Sequence, residues 1–299
     1  MTGPLVPSAL PIRPVDGHKG TFGTVLVIGG RSGSAERMLG APALTALGAL
    51  RSGCGRVVLA TPEPILDRTL TIVPSATGCV LPVDGDGDLD ASAAMKLIDA
   101  IEPTVDAVVV GPGMGRGPAV RRLVARLLSK TGAPMVIDAD ALNAVADDPS
   151  ILDGCARSCV LTPHPGEYTR LASSLGLPDV GEGEASRREA AASLARRVGG
   201  VVVLKGPGSV VTDGTREWIC EAGSVVLAVP GSGDVQAGVI GSLLAQAVGE
   251  PPEALAALGT LLHATAGRGW ERTHGSVGML ASDLADALPM AMREVGGSL

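Results

Sequence analysis

Aromatic side chains are almost missing from this chain: Phe22, Tyr168, Trp218 and Trp270 make up 1% of its 299 residues. Binders of single-stranded nucleic acid stack bases on aromatic rings, and few such platforms exist here. An excess of positive charge is missing too. Lys and Arg number 24 against 31 Asp and Glu, a net charge of −7, the wrong sign for neutralising a phosphate backbone. Nucleic acid is therefore not an expected partner. No apolar run reaches the ~18 residues that a membrane-spanning helix needs, so no membrane association is expected. The first twenty residues lack the basic-then-apolar order of a signal peptide. Metal-ligand spacing is absent as well. The five cysteines, Cys54, Cys79, Cys155, Cys159 and Cys220, are scattered, and no second pair or nearby histidine completes a zinc set around Cys155 and Cys159. They read as buried, reduced thiols, which points to the cytoplasm. His18, His263 and His274 show no metal spacing either and read as structural or surface residues.

What the chain has is aliphatic: 45% of its residues are hydrophobic, a core of Val, Leu, Ile and Ala suited to close helix-on-sheet packing. Apolar, β-branched runs at Thr24–Ile28, Arg56–Ala60, Asp106–Val110, Pro134–Asp138, Cys159–Leu161 and Val201–Lys205 predict strands. Helical patterns fall between and after them, near 38–52, 91–102, 117–130, 139–147, 184–198, 234–248, 251–269 and 279–293. Continuously apolar strands alternating with helices predict an α/β fold, a mostly parallel central sheet with helices on both faces in three layers. Ser209–Asp213 and Thr215–Cys220 flank an Asp213-Gly214 hairpin signal and predict an antiparallel ribbon beside that sheet. No linker or internal repeat divides the chain. One domain over 1–299 is expected, with 1–18 an extended N-terminal segment.

In such sheets ligands collect where strands end and turns lead into helices. Five such turns carry unusual residues. Pro230-Gly-Ser-Gly-Asp234 puts an acid at a helix start behind small residues. The free amides of a helix's first turn attract anions, and a carboxylate beside them is placed to take a proton from an attacking hydroxyl. The plain alternative is a helix cap that favours the dipole. Lys205-Gly-Pro-Gly-Ser209 ends a strand with a lysine and a flexible turn. Its order is not that of a P-loop, so Lys205 is either a point charge for phosphates or a surface lysine. Thr162-Pro-His164-Pro-Gly-Glu167 frames a histidine with two prolines and places Glu167 early in the next helix. There Glu167 would hold magnesium through water or simply serve the helix start. Gly111-Pro-Gly113-Met-Gly115 suits close backbone approach, for a ligand or for a tight connection. Gly29-Gly30-Arg-Ser-Gly33 lacks dinucleotide-fold spacing.

Together these segments resemble the ADP-dependent (S)-NAD(P)H-hydrate dehydratases, a metabolite-repair family of ribokinase-like fold. The matching pieces run from KGTFGTVLVIGG through LGAPALTALGALRSGCGRVVLATPE, VVVGPGMG, VIDADALN, TPHPGE, VVLKGPGSVV and GSGDVQAGVIGSLLAQ to LHATAG and GMLASDLADALP. The resemblance implies that an adenine nucleotide, ADP or ATP with Mg2+, phosphorylates the hydroxyl of hydrated NAD(P)H. Phosphate elimination then restores the dihydropyridine. It implies Asp234 as catalytic base; Ala41, Gly113, His164 and Asp234 as contacts of the hydrated dinucleotide; Lys205, Gly206, Pro207, Gly208, Ser209 and Gly233 as nucleotide contacts; and Glu167 as the magnesium-associated acid. A homo-oligomer is also implied. The epimerase domain often fused to members is expected to be absent, because the chain starts just before the matching region.

The chain departs from the family's N-P-G-M-A-T-G-G-[ST]-G-D run, with Val229 for a threonine and Pro230 for a glycine. If an amide at 230 served the phosphates, its loss would cost ~10²–10³ in rate. Besides the dehydratase, two readings stay open. One is a small-molecule kinase of the same fold, stopping at the phosphate ester. The other is a nucleotide-binding relative with weakened catalysis.

Overall fold

A computed structural model describes residues 4–130, 132–154 and 159–297. Nine strands form one sheet: β1 Thr24–Ile28, β2 Arg56–Pro62, β3 Thr77–Leu81, β4 Ala107–Val110, β5 Met135–Ile137, β6 Cys159–Leu161, β7 Val201–Leu204, β8 Ser209–Thr212 and β9 Glu217–Cys220. Their spatial order is β3-β2-β1-β4-β5-β6-β7-β8-β9. The strands from β3 through β7 run parallel, while β8 pairs antiparallel with both β7 and β9. The expected hairpin is present. The Asp213 carboxylate gathers the amides of Thr215 and Arg216, 2.8 and 2.7 Å away, at its turn.

Among the described residues ten α-helices cover the sheet: α1 Gly40–Arg51, α2 Glu63–Ile72, α3 Ala91–Ile101, α4 Pro118–Lys130, α5 Asp140–Asp147, α6 Pro165–Leu175, α7 Glu184–Val198, α8 Ser232–Gln246, α9 Pro252–His274 and α10 Ala281–Gly296. Strand side chains alternate between two cores. Val25, Val27, Val109, Val136 and Val203 pack with α1, α8, α9 and α10. Leu26, Ile28, Val108, Ile137 and Leu204 pack against α3 through α7. This period of two is what a pleated strand buried on both faces produces, and it gives the expected three layers. Two elements went unpredicted, α2 and the edge strand β3.

The central helix of the first layer is α8, buried continuously from Val235 to Ala245. It lies backbone-to-backbone on α1. A Cβ added at Gly238 would stand 2.0 Å from the Thr45 carbonyl oxygen, and one at Gly48 would stand 2.4 Å from that of Val235. Only glycine permits such contact. The crossing sets the N-terminal turns of α1 and α8 side by side, so Leu44 of α1 packs on Gly231 at the start of α8. Before β1 the segment 4–23 carries no helix or strand. It is pinned by buried Leu5, by the Ser8 amide on the Ala254 carbonyl, and by Arg13, which stacks over Phe22 and donates to the Gly53 carbonyl.

No helix among the described residues is long and apolar enough to cross a membrane. Cys54 and Cys220 are buried thiols with raised pKa, Cys54 pushed up to about 12 by burial. Cys79 is half-buried, and Cys155 lies outside the described residues.

Candidate active site

The carboxyl ends of β1, β4, β5, β6 and β7 and the start of α8 converge on one region. Lys205, just past β7, points its Nζ at Asp138, just past β5, with Nζ–Oδ1 2.7 Å. The same oxygen accepts a hydrogen bond from Thr162 Oγ1 at 2.8 Å. Asp138 is 2% exposed and Thr162 0%, so the pair is a desolvated charge contact rather than a surface bridge. Burial alone would depress the lysine. The carboxylates of Asp138, Glu167 and Asp234 outweigh it and hold the Lys205 pKa above its usual value.

Asp234 occupies the first turn of α8 and is partly buried. Loss of water, reinforced by the negative charge of Asp138 and opposed by Lys205, pushes its carboxyl up to about 7. Ahead of it, Val229-Pro-Gly-Ser232 forms a tight turn in which the Ser232 amide reaches the Val229 carbonyl at 3.2 Å. Gly231 there has φ 88° and ψ −10°. Those are the values of the third residue of a type II turn, and proline is favoured at its second. Pro230 thus suits the turn it replaces glycine in. It is exposed and does not line the neighbouring cavity. The amides next to the acid, Gly233 and Asp234, have no protein acceptor and remain available to an anion.

His164 caps α6. Its Nδ1 accepts from the Gly166 amide at 3.0 Å, while the Glu167 carboxylate accepts from the His164 amide at 2.9 Å, a reciprocal capping box. A ring that accepts at Nδ1 carries its proton on Nε2, and Nε2 faces Glu167 at 3.4 Å. Burial, with the charges of Lys205 and Arg170, lowers the His164 pKa and keeps the ring neutral. Glu167 is 6% exposed. Burial raises its carboxyl to about 7 against the pull of Lys205.

A cavity of about 710 Å³ opens beside these groups, lined among others by His164, Lys205–Ser209, Val229, Gly233 and His263. Every predicted nucleotide contact lies on it. Gly233 sits against the lysine, since a Cβ there would be 2.9 Å from Nζ. Ala41 and Gly113 stand apart from this cavity but together. A Cβ at Gly113 would meet that of Ala41 at 3.2 Å, so the start of α1 and the β4 turn meet as a candidate second half of the site. Asp140 links the halves: its Oδ2 accepts from the Gly115 amide at 2.7 Å, and its charge reaches Asp234.

Three further groups had no predicted role. Asp138 and Thr162 hold the lysine, and buried His263 donates from Nε2 to the Ser232 carbonyl at 3.1 Å, with Ser232 Oγ at 3.0 Å. Burial depresses His263 to about 4, so it is neutral. His263 is not a surface residue, whereas His18 and His274 are exposed. The signals for the first and last lay in the DADALN and LHATAG segments, whose roles only the fold reveals.

As to a metal, no three side chains of the metal-binding types converge on one point among the described residues. Yet three carboxylates, Asp138, Glu167 and Asp234, surround Lys205, with Arg170 also acting on Glu167, and two of them are pushed to about 7. That excess of negative charge fits a hydrated Mg2+ held mainly by water and substrate phosphates.

The doubly covered sheet, with its anion-ready helix start and buried carboxylates, defines an α/β protein of the ribokinase-like class. Residues 25–290 match the family model described as NAD(P)H-hydrate dehydratase, and the chain belongs to that family. A bifunctional NAD(P)H-hydrate repair enzyme from Moorella thermoacetica is 38% identical over 96% of this chain and 52% of its own length. The chain thus spans about half the length of such bifunctional relatives. An ADP-dependent (S)-NAD(P)H-hydrate dehydratase from Neisseria meningitidis is 36% identical over 94% of this chain and 88% of its own. The crystal structure of an ADP/ATP-dependent NAD(P)H-hydrate dehydratase from Bacillus subtilis, co-crystallised with ATP/Mg2+, is 29% identical. It covers 96% of this chain and 95% of its own, with a TM-score of 0.76.

Proposed function

We propose that the protein is an adenine-nucleotide-dependent (S)-NAD(P)H-hydrate dehydratase. The observation that carries this reading is the desolvated Asp234 carboxylate beside Lys205, in front of the partner-free amides of Gly233 and Asp234. In this reading the Lys205–Ser209 turn and Gly233 cradle ADP or ATP, with Lys205 as the point charge on its phosphates. Ala41, Gly113 and neutral His164 hold the hydrated dinucleotide, its ring hydroxyl turned to Asp234. Asp234 takes the hydroxyl proton as the oxygen bonds to the terminal phosphorus and the shortened nucleotide leaves, AMP when the donor is ADP. The C–O bond then breaks with loss of a proton from the adjacent ring carbon. Phosphate departs and the double bond returns. Mg2+, when bound with the nucleotide, neutralises phosphate charge, and Glu167 would hold it through water.

We further propose one folding unit over the chain, a cytoplasmic location and a homo-oligomer. The unbroken sheet supports the first, the thiols of Cys54 and Cys220 the second, and exposed Leu280 and Met290 the third. The test of function is to incubate the protein with hydrated NADH and either ADP or ATP. Return of dihydronicotinamide absorbance is the expected result. Nucleotide consumption that yields a stable phosphate ester would make the protein a kinase instead, and absence of any turnover would make it a binding relative.

A further inference from the structure

We propose that Asp138 and Asp140 are positioning residues on one strained turn that joins the two halves of the site, Asp138 setting Lys205 for the nucleotide and Asp140 setting the Gly111–Gly115 loop for the dinucleotide. The inference rests on the reaction proposed above.

Ala139 is the only non-glycine residue with positive φ among the described residues, at φ 49° and ψ −118°. An L-residue is held there only when its surroundings fix it. What fixes it is on either side. Asp138 accepts from Lys205 Nζ and Thr162 Oγ1. Asp140 accepts from the Gly115 amide at 2.7 Å and from Asn143 Nδ2 at 3.1 Å, and Asn143 in turn accepts from Arg170. In a regular strand two residues separated by one point to the same face. The reversed backbone at Ala139 instead sends them to loops after different strands, β7 and β4.

The turn and the β4 loop are also in backbone contact. A Cβ at Gly111 would lie 1.8 Å from the Asp138 carbonyl oxygen, and Gly111 has φ 121°. The Asp138 carboxylate is engaged by Lys205 and Thr162 and the Asp140 carboxylate by Gly115 and Asn143, so each acts through the group it holds. A lysine has a flexible stem, and fixing it before a ligand arrives removes an ordering cost from binding. The same holds for a glycine-rich loop tethered by the Gly115 amide.

Calorimetric titration of ADP alone, and of hydrated NADH alone, onto the wild type and variants tests this. Asp138→Asn is expected to weaken ADP about tenfold and hydrated NADH less than about twofold, the loss of one charge-assisted contact. Asp140→Asn is expected to give the reverse pattern. Thr162→Val and Asn143→Ala disturb the same two contacts more gently, and they carry the respective arms if an Asp variant does not fold. They are expected to shift the same ligand in the same direction by a few-fold. Ala139→Gly, which frees the turn, is expected to weaken both ligands while its melting temperature holds or rises. The proposal is overturned if both Asp variants weaken the same ligand, or if each weakens both equally with a lower melting temperature. Failure of wild-type turnover sinks the reaction but leaves the ADP arm readable. Failure of hydrated NADH to bind the wild type overturns the Asp140 half.

Discussion

Replacing Asp234 by Asn should stabilise the protein, and by an amount that depends on pH. The unfolded carboxyl titrates at 3.8 and the folded one at about 7. Between those values the folded chain keeps a proton that the unfolded chain has released, so stability falls as pH rises through that window. Above about pH 7 the wild type carries the whole penalty. Roughly 3 pK units at 1.36 kcal/mol each give a ceiling of ~4 kcal/mol. At pH 5 only about 1.2 units have accrued, or ~1.6 kcal/mol. Asparagine mimics the neutral acid at every pH and so removes the penalty. With an unfolding entropy of ~2.1 cal/mol/K per residue, each kcal/mol moves the midpoint of a chain this long by about 1.6 °C. Melting curves of wild type and variant at the two extremes should therefore differ by up to ~6 °C at pH 8 and about 2.5 °C at pH 5. A gain that is absent at pH 8, or equal at both pH values, would refute the reasoning. It would mean that Asp234 is solvated and not held against its own charge.

The same carboxyl sets the acid limb of the rate. A base must be ionised, so kcat/KM should fall about tenfold per pH unit below about 7; a limb near 4 in a pH–rate profile would contradict this. Pro230→Gly restores the family's residue but loosens the type II turn. It should lower stability by ~0.4–1 kcal/mol in a denaturant titration and leave kcat within about twofold, because Pro230 does not line the cavity. Gly238→Ala drives a methyl to 2.0 Å from the Thr45 carbonyl oxygen. A loss of about 3 kcal/mol or more is expected in the same titration, since backbone cannot yield as a side chain does.

The sheet was legible because its central strands are apolar on both sides. TVLVI and VVVL bury every residue, so each reads as an unbroken run. β3 was not legible for the opposite reason. It lies at the sheet edge with Thr77, Gly78 and Val80 exposed, and its TGCVL offers neither an apolar run nor a clean alternation. Helix α2 begins Glu63-Pro64 directly against β2, with no turn residues to mark the junction.

In the site, the acid at the helix start, the glycine turn behind it and the double-proline histidine could be found because turn chemistry is local. The Asp138–Lys205 pair spans 67 positions and the Ser232–His263 contact 31. Nothing in DADALN or LHATAG announces which distant group each will meet. The positive φ of Ala139 was hidden as well, because alanine is not a residue chosen for that conformation. It is imposed by contacts on both sides. Sequence left open whether an amide at position 230 serves the phosphates; the Gly231 dihedrals place Pro230 at the second position of a type II turn, outside the cavity lining.

In the proposed reaction a single carboxylate, Asp234, meets the hydroxyl beside bound phosphate. Turnover of hydrated NADH by Asp234→Asn, measured with ADP affinity on the same preparation, tests it most directly. Loss of turnover by about 10³ or more, with ADP bound within about threefold of wild type, is the predicted result for an interaction made in the transition state. Turnover retained within about tenfold would contradict it, because a residue that only caps a helix could be exchanged at that small cost.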